Sequence, residues 1–457
     1  MPSGLSRILT SHAGSLPRPE DLIKLNHQRA AAHFATASAA TASAATAGAA
    51  TADSAIDGSA TAGLAADGPA PGSRATPGFA ASAAPDEEEY QRKLSAAVTE
   101  VVARQQQAGV DLVNDGEYGH SMGHRYDFGP WWTYVFQRLG GLEMVPPSQI
   151  RPPRVRPKEP GDVVLSTFSE RRDWVQFAEA YGDPDSGVAL PNRENRPTVP
   201  VCRGPIGYRG EEALRGTIAN FKAALGTAGL AEGFLNAVGP ASCARFANEF
   251  YESDEELLYA CADAMRAEDK TIIDAGLVLQ IDDPAIAENW DQINPAPTVE
   301  AYQRFTMIRI EALNHALSGL PADRIRFHLC WGSWHGPHVT DLPMADIIGM
   351  LVSINASAYS FEAANVRHEH EWKVWRDVTL PDGKVILPGV VSHSTNVVEH
   401  PELVADRIVR YAEIVGRDNV IASTDCGLGG RVHPQIAWAK LGTLASGAEL
   451  ASRRLWR

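Results

Sequence analysis

No apolar run approaches the roughly 18–20 residues that a membrane-spanning helix needs, so no stretch of the sequence reads as a membrane span. The first ten residues, Met1 to Thr10, lack the apolar core of about 7–15 residues that marks a secretory leader, and a cytoplasmic setting is the expectation. Positive charge is scarce. The 41 Lys and Arg against 56 Asp and Glu leave a formal charge of −15, which argues against nucleic acid or an anionic membrane as a partner. Cysteine is sparse and odd in number, five in 457 residues, so no disulfide framework is implied. Cys202, Cys243 and Cys261 read as small buried apolar residues. Cys330 and Cys426 sit in a different context.

What is present is a large core-forming chain, 44% hydrophobic, with one abrupt change of composition. From about residue 31 to 85 Ala, Thr, Ser and Gly dominate and large apolar residues almost vanish. With no apolar stripe to pack, this stretch reads as a flexible surface insert. Around it, apolar segments alternate with helical patterns. Strand starts fall near residues 8, 111, 233, 277, 325, 358, 385 and 419. Helices are expected over 20–29, 86–108, 212–226, from 253, 298–317, 343–354, 401–415 and 434–453, several opened by a capping residue or a proline. The stretch 120–200, rich in Pro, Trp and Arg, reads as excursions over one end of the fold, with an extra strand at 197–206. Eight alternations with polar residues at the strand ends predict a single α/β domain over residues 1–457, a (β/α)8 TIM barrel; a doubly wound open sheet is the main alternative.

The chemistry concentrates at Arg326-Phe-His-Leu-Cys-Trp-Gly-Ser333. Side chains at i and i+2 of a strand share a face, so His328 and Cys330 can reach one metal ion. Zinc takes about four N, S or O ligands, and two later strand ends offer Glu362 and Cys426. Near the start, Gly14 and Ser15 lie in a turn of small residues whose backbone N–H groups can approach a ligand carboxylate. Gly427-Leu-Gly-Gly430 follows Cys426 and reads as a sharp turn after a metal ligand rather than a phosphate cradle.

These residues resemble the catalytic barrel of cobalamin-independent methionine synthase and its shorter relatives, which include the epoxyalkane:coenzyme M transferases. The matching segments are Gly14-Ser-Leu-Pro17, Asp115-Gly-Glu117, Gln280-Ile-Asp-Asp-Pro284, His328 with Cys330, Glu362, Val391-Ser-His-Ser394 and Asp425-Cys-Gly-Leu428. The resemblance implies a Zn2+ ion on His328, Cys330, Glu362 and Cys426, and a catalytic histidine at His393, which would protonate the leaving group or relay a proton. It also points to a thiol substrate. Glu117 and Asp282, two carboxylates at strand ends, suit a ligand ammonium, and Ser15 suits a carboxylate, a polarity that fits homocysteine. The methyl donor would be a methyl-folate or a methyl-corrinoid protein. The alternative is an epoxide- or other alkyl-group:thiol transferase, whose sulfonated thiol would need a cation such as Arg203, Arg367 or Arg431. A third reading is a decarboxylase-like barrel in which the metal motif is incidental. The sequence departs from the longer synthases at Asp283, where they carry Glu, and in a rim of His335, His338, His368 and His370, expected to serve in hydrogen bonds or solvated faces.

Deleting Ala35–Ala84 is expected to leave activity and melting temperature nearly unchanged; a cooperative loss of fold in a thermal melt would show that the insert is part of the packed domain.

Overall fold

A computed structural model describes residues 6–29, 86–122, 130–151, 163–165, 170–188 and 199–457. The Ala/Thr-rich stretch at 31–85 lies outside the described residues, as do parts of the 120–200 excursion. Among the described residues, no helix is long and apolar enough to cross a membrane.

Seven strands form one curled parallel sheet: β1 (Leu9–Thr10), β2 (Phe234–Val238), β3 (Val278–Asp282), β4 (Ile325–Leu329), β5 (Ala358–Phe361), β6 (Val385–Val391) and β7 (Ile421–Thr424). Their order in space is β1-β7-β6-β5-β4-β3-β2. Each strand after β1 is preceded by helix on the outside, which explains why nearly every strand residue is buried on both faces. The two edges of the sheet, β1 and β2, are joined by residues 110–114. Asp111 and Leu112 donate backbone N–H bonds to Thr10 (3.1 and 3.0 Å), and Val113 accepts one from Phe234 at 3.0 Å. Seven of the eight expected strands are thus present among the described residues; at the second expected position residues 110–114 form no regular strand and bridge the two edges instead.

The flanking helices form where their caps and apolar stripes dictate. Asp86 and Ser253 accept from backbone N–H groups three or fewer residues on, opening Glu87–Gln107 and Asp254–Asp274. Pro401 and Pro434 occupy first turns capped by His400 and His433. The helix expected over 343–354 is broken into a 3-10 turn, Met344–Asp346, and a short helix, Ile348–Leu351. A helix not expected, Ala285–Gln292, starts directly behind Pro284.

The extra strand in the excursion is Val199–Cys202, and it belongs to a second small sheet. It pairs antiparallel with Leu142–Val145 and parallel with Ala247–Asn248. Under this sheet Cys202, Cys243 and Cys261 are packed with Tyr134, Phe136 and Met265 in a separate apolar cluster. That is the inert role the sequence suggested.

The inside of the main sheet departs from the usual apolar filling of such folds. Asn236, Gln280 and Arg326 stand side by side in register, and two residues further on Asp282, His328 and Ser360 form the next layer. Arg326 is fully buried and reaches across the interior to Ser11 Oγ (2.8 Å) and the His12 carbonyl (2.9 Å). Its guanidinium lies 4.0 Å over the Phe234 ring, so cation, aromatic and carbonyl together replace water.

The edge-to-edge seam depends on Asp111, whose Oδ2 accepts from Thr10 N (2.9 Å) and Thr10 Oγ1 (3.0 Å) while Arg7 grips both carboxylate oxygens. Asp111→Ala is expected to lower stability by about 1–3 kcal/mol in urea unfolding; an unchanged midpoint would mean that the seam is held by its backbone bonds alone.

Candidate metal and substrate site

Every site residue proposed from the sequence lies at the same end of the sheet. His328 is within β4 and Cys330 one residue beyond it; Glu362 directly follows β5, His393 lies two residues past β6, and Cys426 two residues past β7. The ligand atoms of His328, Cys330 and Cys426 fall within 4.8 Å of one another. Glu362 falls in a neighbouring group of the same size with His393 and Asp425. Three of the four expected metal ligands therefore converge, and the fourth stands alongside them in another orientation.

The donor set fits a zinc ion. His328 Nδ1 pairs with Ser360 Oγ at 3.0 Å, which fixes the ring, and its Nε2 is buried with no hydrogen-bond partner. A buried imidazole nitrogen left open beside two thiols is the arrangement that a metal completes. Its neighbour Cys426 and burial both push Cys330 up, whereas Cys330 and then His328 hold Cys426 well below the ordinary thiol range against the opposing effect of burial. Glu362 is driven up by burial and by the nearby charges of Asp425 and Cys426. Its Oε1 accepts from Trp331 N at 2.9 Å and its Oε2 from Asn365 Nδ2 at 2.6 Å.

Glu117 and Asp282 face the same centre. Glu117 is a non-glycine residue with φ of 58°, reached through two successive turns in which Asn114 Oδ1 accepts from Gly116 N and Asp115 Oδ1 from Glu117 N. Arg18 donates to its carbonyl. Gly14, at φ of 139°, is the residue that lets this carboxylate in: a side chain there would collide with the Glu117 carboxylate and the Asn236 amide. Asp282 accepts from Asn236 Nδ2 (2.8 Å) and Gln280 Nε2 (2.7 Å). Burial pushes both carboxyls up to about 7; the Cys426 charge adds to this at Glu117, and the Glu117 charge adds to it at Asp282. Two such groups are ready to ionise against an incoming cation.

Ser15 is clasped by the turn after Cys426. Its carbonyl accepts from Gly429 N at 2.9 Å, its Oγ from Arg18 Nη1 at 3.2 Å, and side chains at Gly427 or Gly429 would strike it. Close packing thus accounts for these glycines. Of the three arginines considered for an anion, Arg203 is spent on Glu143 and Glu249 in the small sheet, and Arg367 donates to the Val339 carbonyl. Arg431 is the one whose charge acts on Glu117 and His393; its Nε donates to Ser333 Oγ at 2.8 Å. His393 is almost fully buried, and burial pushes it down to about 3, so its ring is neutral; its Nδ1 has no hydrogen-bond partner.

The histidine rim is a charge network that ties the loop after Cys330 to the loop after Glu362. Asp341 Oδ2 lies 3.0 Å from both His338 Nδ1 and His368 Nε2, and His368 Nδ1 lies 2.8 Å from Glu371. His338 stacks on Trp334 and His368 on Trp331, with centroids 4.3 and 4.0 Å apart. His335 Nε2 is 3.3 Å from the His393 carbonyl, and His370 is exposed. The excursion joins this network: Asp173 accepts from Val339 N and from Tyr181, whose hydroxyl also receives Trp334 Nε1.

Residues missed in the sequence are Arg326, Asn236, Asn365 and Asp425. Arg326 gave a signal, a charge two residues before a ligand in an apolar strand. Asp425 appeared in the sequence only as the residue before Cys426; in the structure its Oδ1 accepts from Ala363 N and Ala364 N and so braces the Glu362 turn.

The rim generates a pH prediction. Burial lowers His338, but the Asp341 charge and hydrogen bond outweigh it and lift the ring to about 9 from its ordinary 6.5. A raised pKa means that the pair's stabilisation is complete below about pH 6.5 and lost as pH rises through about 9. Asp341 is held below its ordinary value, so its share is present above about pH 4 and lost as pH falls further. In thermal melts from pH 7 to 10, wild type should lose more stability than His338→Gln; parallel curves would remove the ion pair from the argument.

Residues 223–449 match the profile described as the cobalamin-independent synthase catalytic domain. A methionine synthase of Thermococcus kodakarensis is 28% identical over 221 residues, 48% of this chain and 57% of its own. One of Saccharolobus solfataricus is 25% identical over 227 residues, 49% of this chain and 59% of its own. The matches therefore span about half of this chain and less than two thirds of either relative. Among solved structures, a B12-independent methionine synthase of Shewanella sp. W3-18-1 in complex with selenomethionine aligns with a TM-score of 0.56 at 20% identity, covering 81% of this chain and 91% of its own. A structure from Listeria monocytogenes covers 99% of each chain at the same TM-score and 16% identity, and both alignments bear on the fold alone. The matched stretch holds Asp282, His328, Cys330, Glu362, His393 and Cys426, and it is over residues 223–449 that the chain matches the cobalamin-independent synthase catalytic domain.

Proposed function

We propose that this chain is a zinc-dependent S-methyltransferase that forms methionine from homocysteine on a (β/α)8 barrel. The observation that carries the reading is the open Nε2 of His328 beside Cys330 and Cys426, on the same floor as two buried carboxylates. His328, Cys330 and Cys426 would hold the zinc, with Glu362 as the exchangeable fourth donor. A thiol of pKa ~8.5 is mostly protonated at neutral pH, and zinc supplies the chemistry that makes it a thiolate.

The rest is the work of the chain's own residues. Glu117 and Asp282 would receive the substrate ammonium, whose charge offsets the burial that raises both carboxyls and so ionises them. Ser15, with the N–H groups of its turn, would take the carboxylate, and Arg431 lies close enough to add its charge. Those contacts hold the thiol sulfur in place, so that one orientation serves attack on the methyl carbon. Glu362, a hard oxygen donor among softer ligands, would be the one to give way to the thiol. His393, kept neutral by burial, would relay a proton to the leaving group rather than store one. Either methyl donor, a methyl-folate or a methyl-corrinoid protein, is compatible with these contacts.

Cobalt-substituted protein titrated with thiols tests this directly. A new sulfur-to-cobalt band with homocysteine, absent with coenzyme M and glutathione, is expected; a response to a sulfonated thiol alone would transfer the reading to an alkyl:thiol transferase, and no response at all would sink it. Cys330→Ser and Cys426→Ser should lose metal and activity together with the fold retained. Glu117→Gln and Asp282→Asn should each raise KM for homocysteine about tenfold or more, a loss of roughly 1.4 kcal/mol of binding; unchanged KM values would free both carboxylates from the substrate.

A further inference from the structure

Both oxygens of the Glu362 carboxylate are held by groups that are not metal ligands: Oε1 by the Trp331 N–H at 2.9 Å, Oε2 by the Asn365 amide at 2.6 Å. Asn365 itself is nearly buried and cannot be turned round. Its Oδ1 accepts from Arg367 N and His368 N, each at 3.0 Å, so its Nδ2 is the end presented to Glu362. Reversing the amide would break both caps and set oxygen against oxygen. The Trp331 N–H is equally fixed, since its residue follows Cys330 directly and its indole is stacked on His368 and bonded to the Leu342 carbonyl. In this position Glu362 groups with His393 and Asp425, beside the His328, Cys330 and Cys426 set.

We propose that Asn365, with the Trp331 N–H, is the positioning residue that receives the Glu362 carboxylate when the substrate thiol takes its place on the metal. This rests on the zinc–thiol reading above and adds to it the fate of the displaced ligand. A carboxylate pushed off a metal inside a dry pocket is costly unless donors await it. Two rigid N–H donors supply that landing place, so the thiol replaces one satisfied state of Glu362 by another. The thiol would enter as its thiolate, its S–H proton passing to solvent on binding, and at Glu362 only the metal bond and the hydrogen bonds would change.

The role separates from simple capping by the sign of two affinities. Asn365→Asp keeps the oxygen that caps Arg367 and His368 but withdraws the donor; Asn365→Leu removes both. Cobalt-loaded wild type and variants would be titrated with homocysteine through the sulfur-to-cobalt band, and metal affinity measured by competition with a chelator. If Asn365 receives Glu362, homocysteine binds at least tenfold more weakly in both variants, while the metal is held as tightly as in wild type or more so. Thiol and metal affinities that fall together, with a lower melting temperature, would reduce Asn365 to a cap and overturn the proposal. Homocysteine affinity at the wild-type level in Asn365→Asp would overturn it too. A wild-type protein that binds metal but shows no thiol band would instead bring down the zinc–thiol reading itself, and this inference with it.

Discussion

The constraint on which the structure depends is that a parallel sheet curled on itself has an interior, and this interior is filled with ionisable groups. Arg326, His328, Asp282, Glu117 and Glu362 are all buried at or near strand ends. None can be solvated, so each must be answered by another residue of the fold. Arg326 is answered by Ser11, the His12 carbonyl and the Phe234 ring; Asp282 by two amides; His328 by Ser360 on one nitrogen only. Where the answers run out, at His328 Nε2 and His393 Nδ1, the candidate site begins. Register makes this possible. Asp282 stands opposite His328 because β3 and β4 pair at that residue, and a slip of one position would send both to the outer face.

The loops then convert strand ends into a site. The turn after Cys426 is glycine-rich because it must lie on Ser15, and the turn after Thr10 needs Gly14 because Glu117 occupies the space of a side chain. Asp425 and Asn365 brace the backbone around Glu362 from two sides. The Asp341-centred network of His338 and His368 stitches the loops after β4 and β5 to each other, and Asp173 fastens the excursion on top. The aromatic faces of Trp331 and Trp334 shield these charges from water. Metal-binding groups, substrate carboxylates and rim thus form one packed unit, and a change in any of them is felt at the others.

Much of this was legible in the chain. Strong strand and helix patterns marked the seven strands of the sheet, since their outward faces pack apolar side chains under amphipathic helices. Elements that depend on neighbours were not: the small sheet built from Leu142–Val145, Val199–Cys202 and Ala247–Asn248 joins segments far apart, and no local periodicity announces it. The helix expected over 343–354 broke because Asp346 and the residues after Pro343 pack against Glu371 and Gln303 through their backbone rather than continuing a stripe.

For the site, residue type and spacing determined the candidates. His328 and Cys330 share a face because strand geometry leaves no other option, and the glycines, paired carboxylates and Cys426 fall at strand ends by chain order alone. Tertiary structure decided the rest. It chose Arg431 over Arg203 and Arg367 as the cation beside the site, turned the rim histidines into an ion network, and directed Glu362 onto Trp331 and Asn365. The physical reason is that a sequence states which donors and acceptors exist, whereas which of them meet, and which are left without a partner when water is excluded, is settled only when distant strands close against one another.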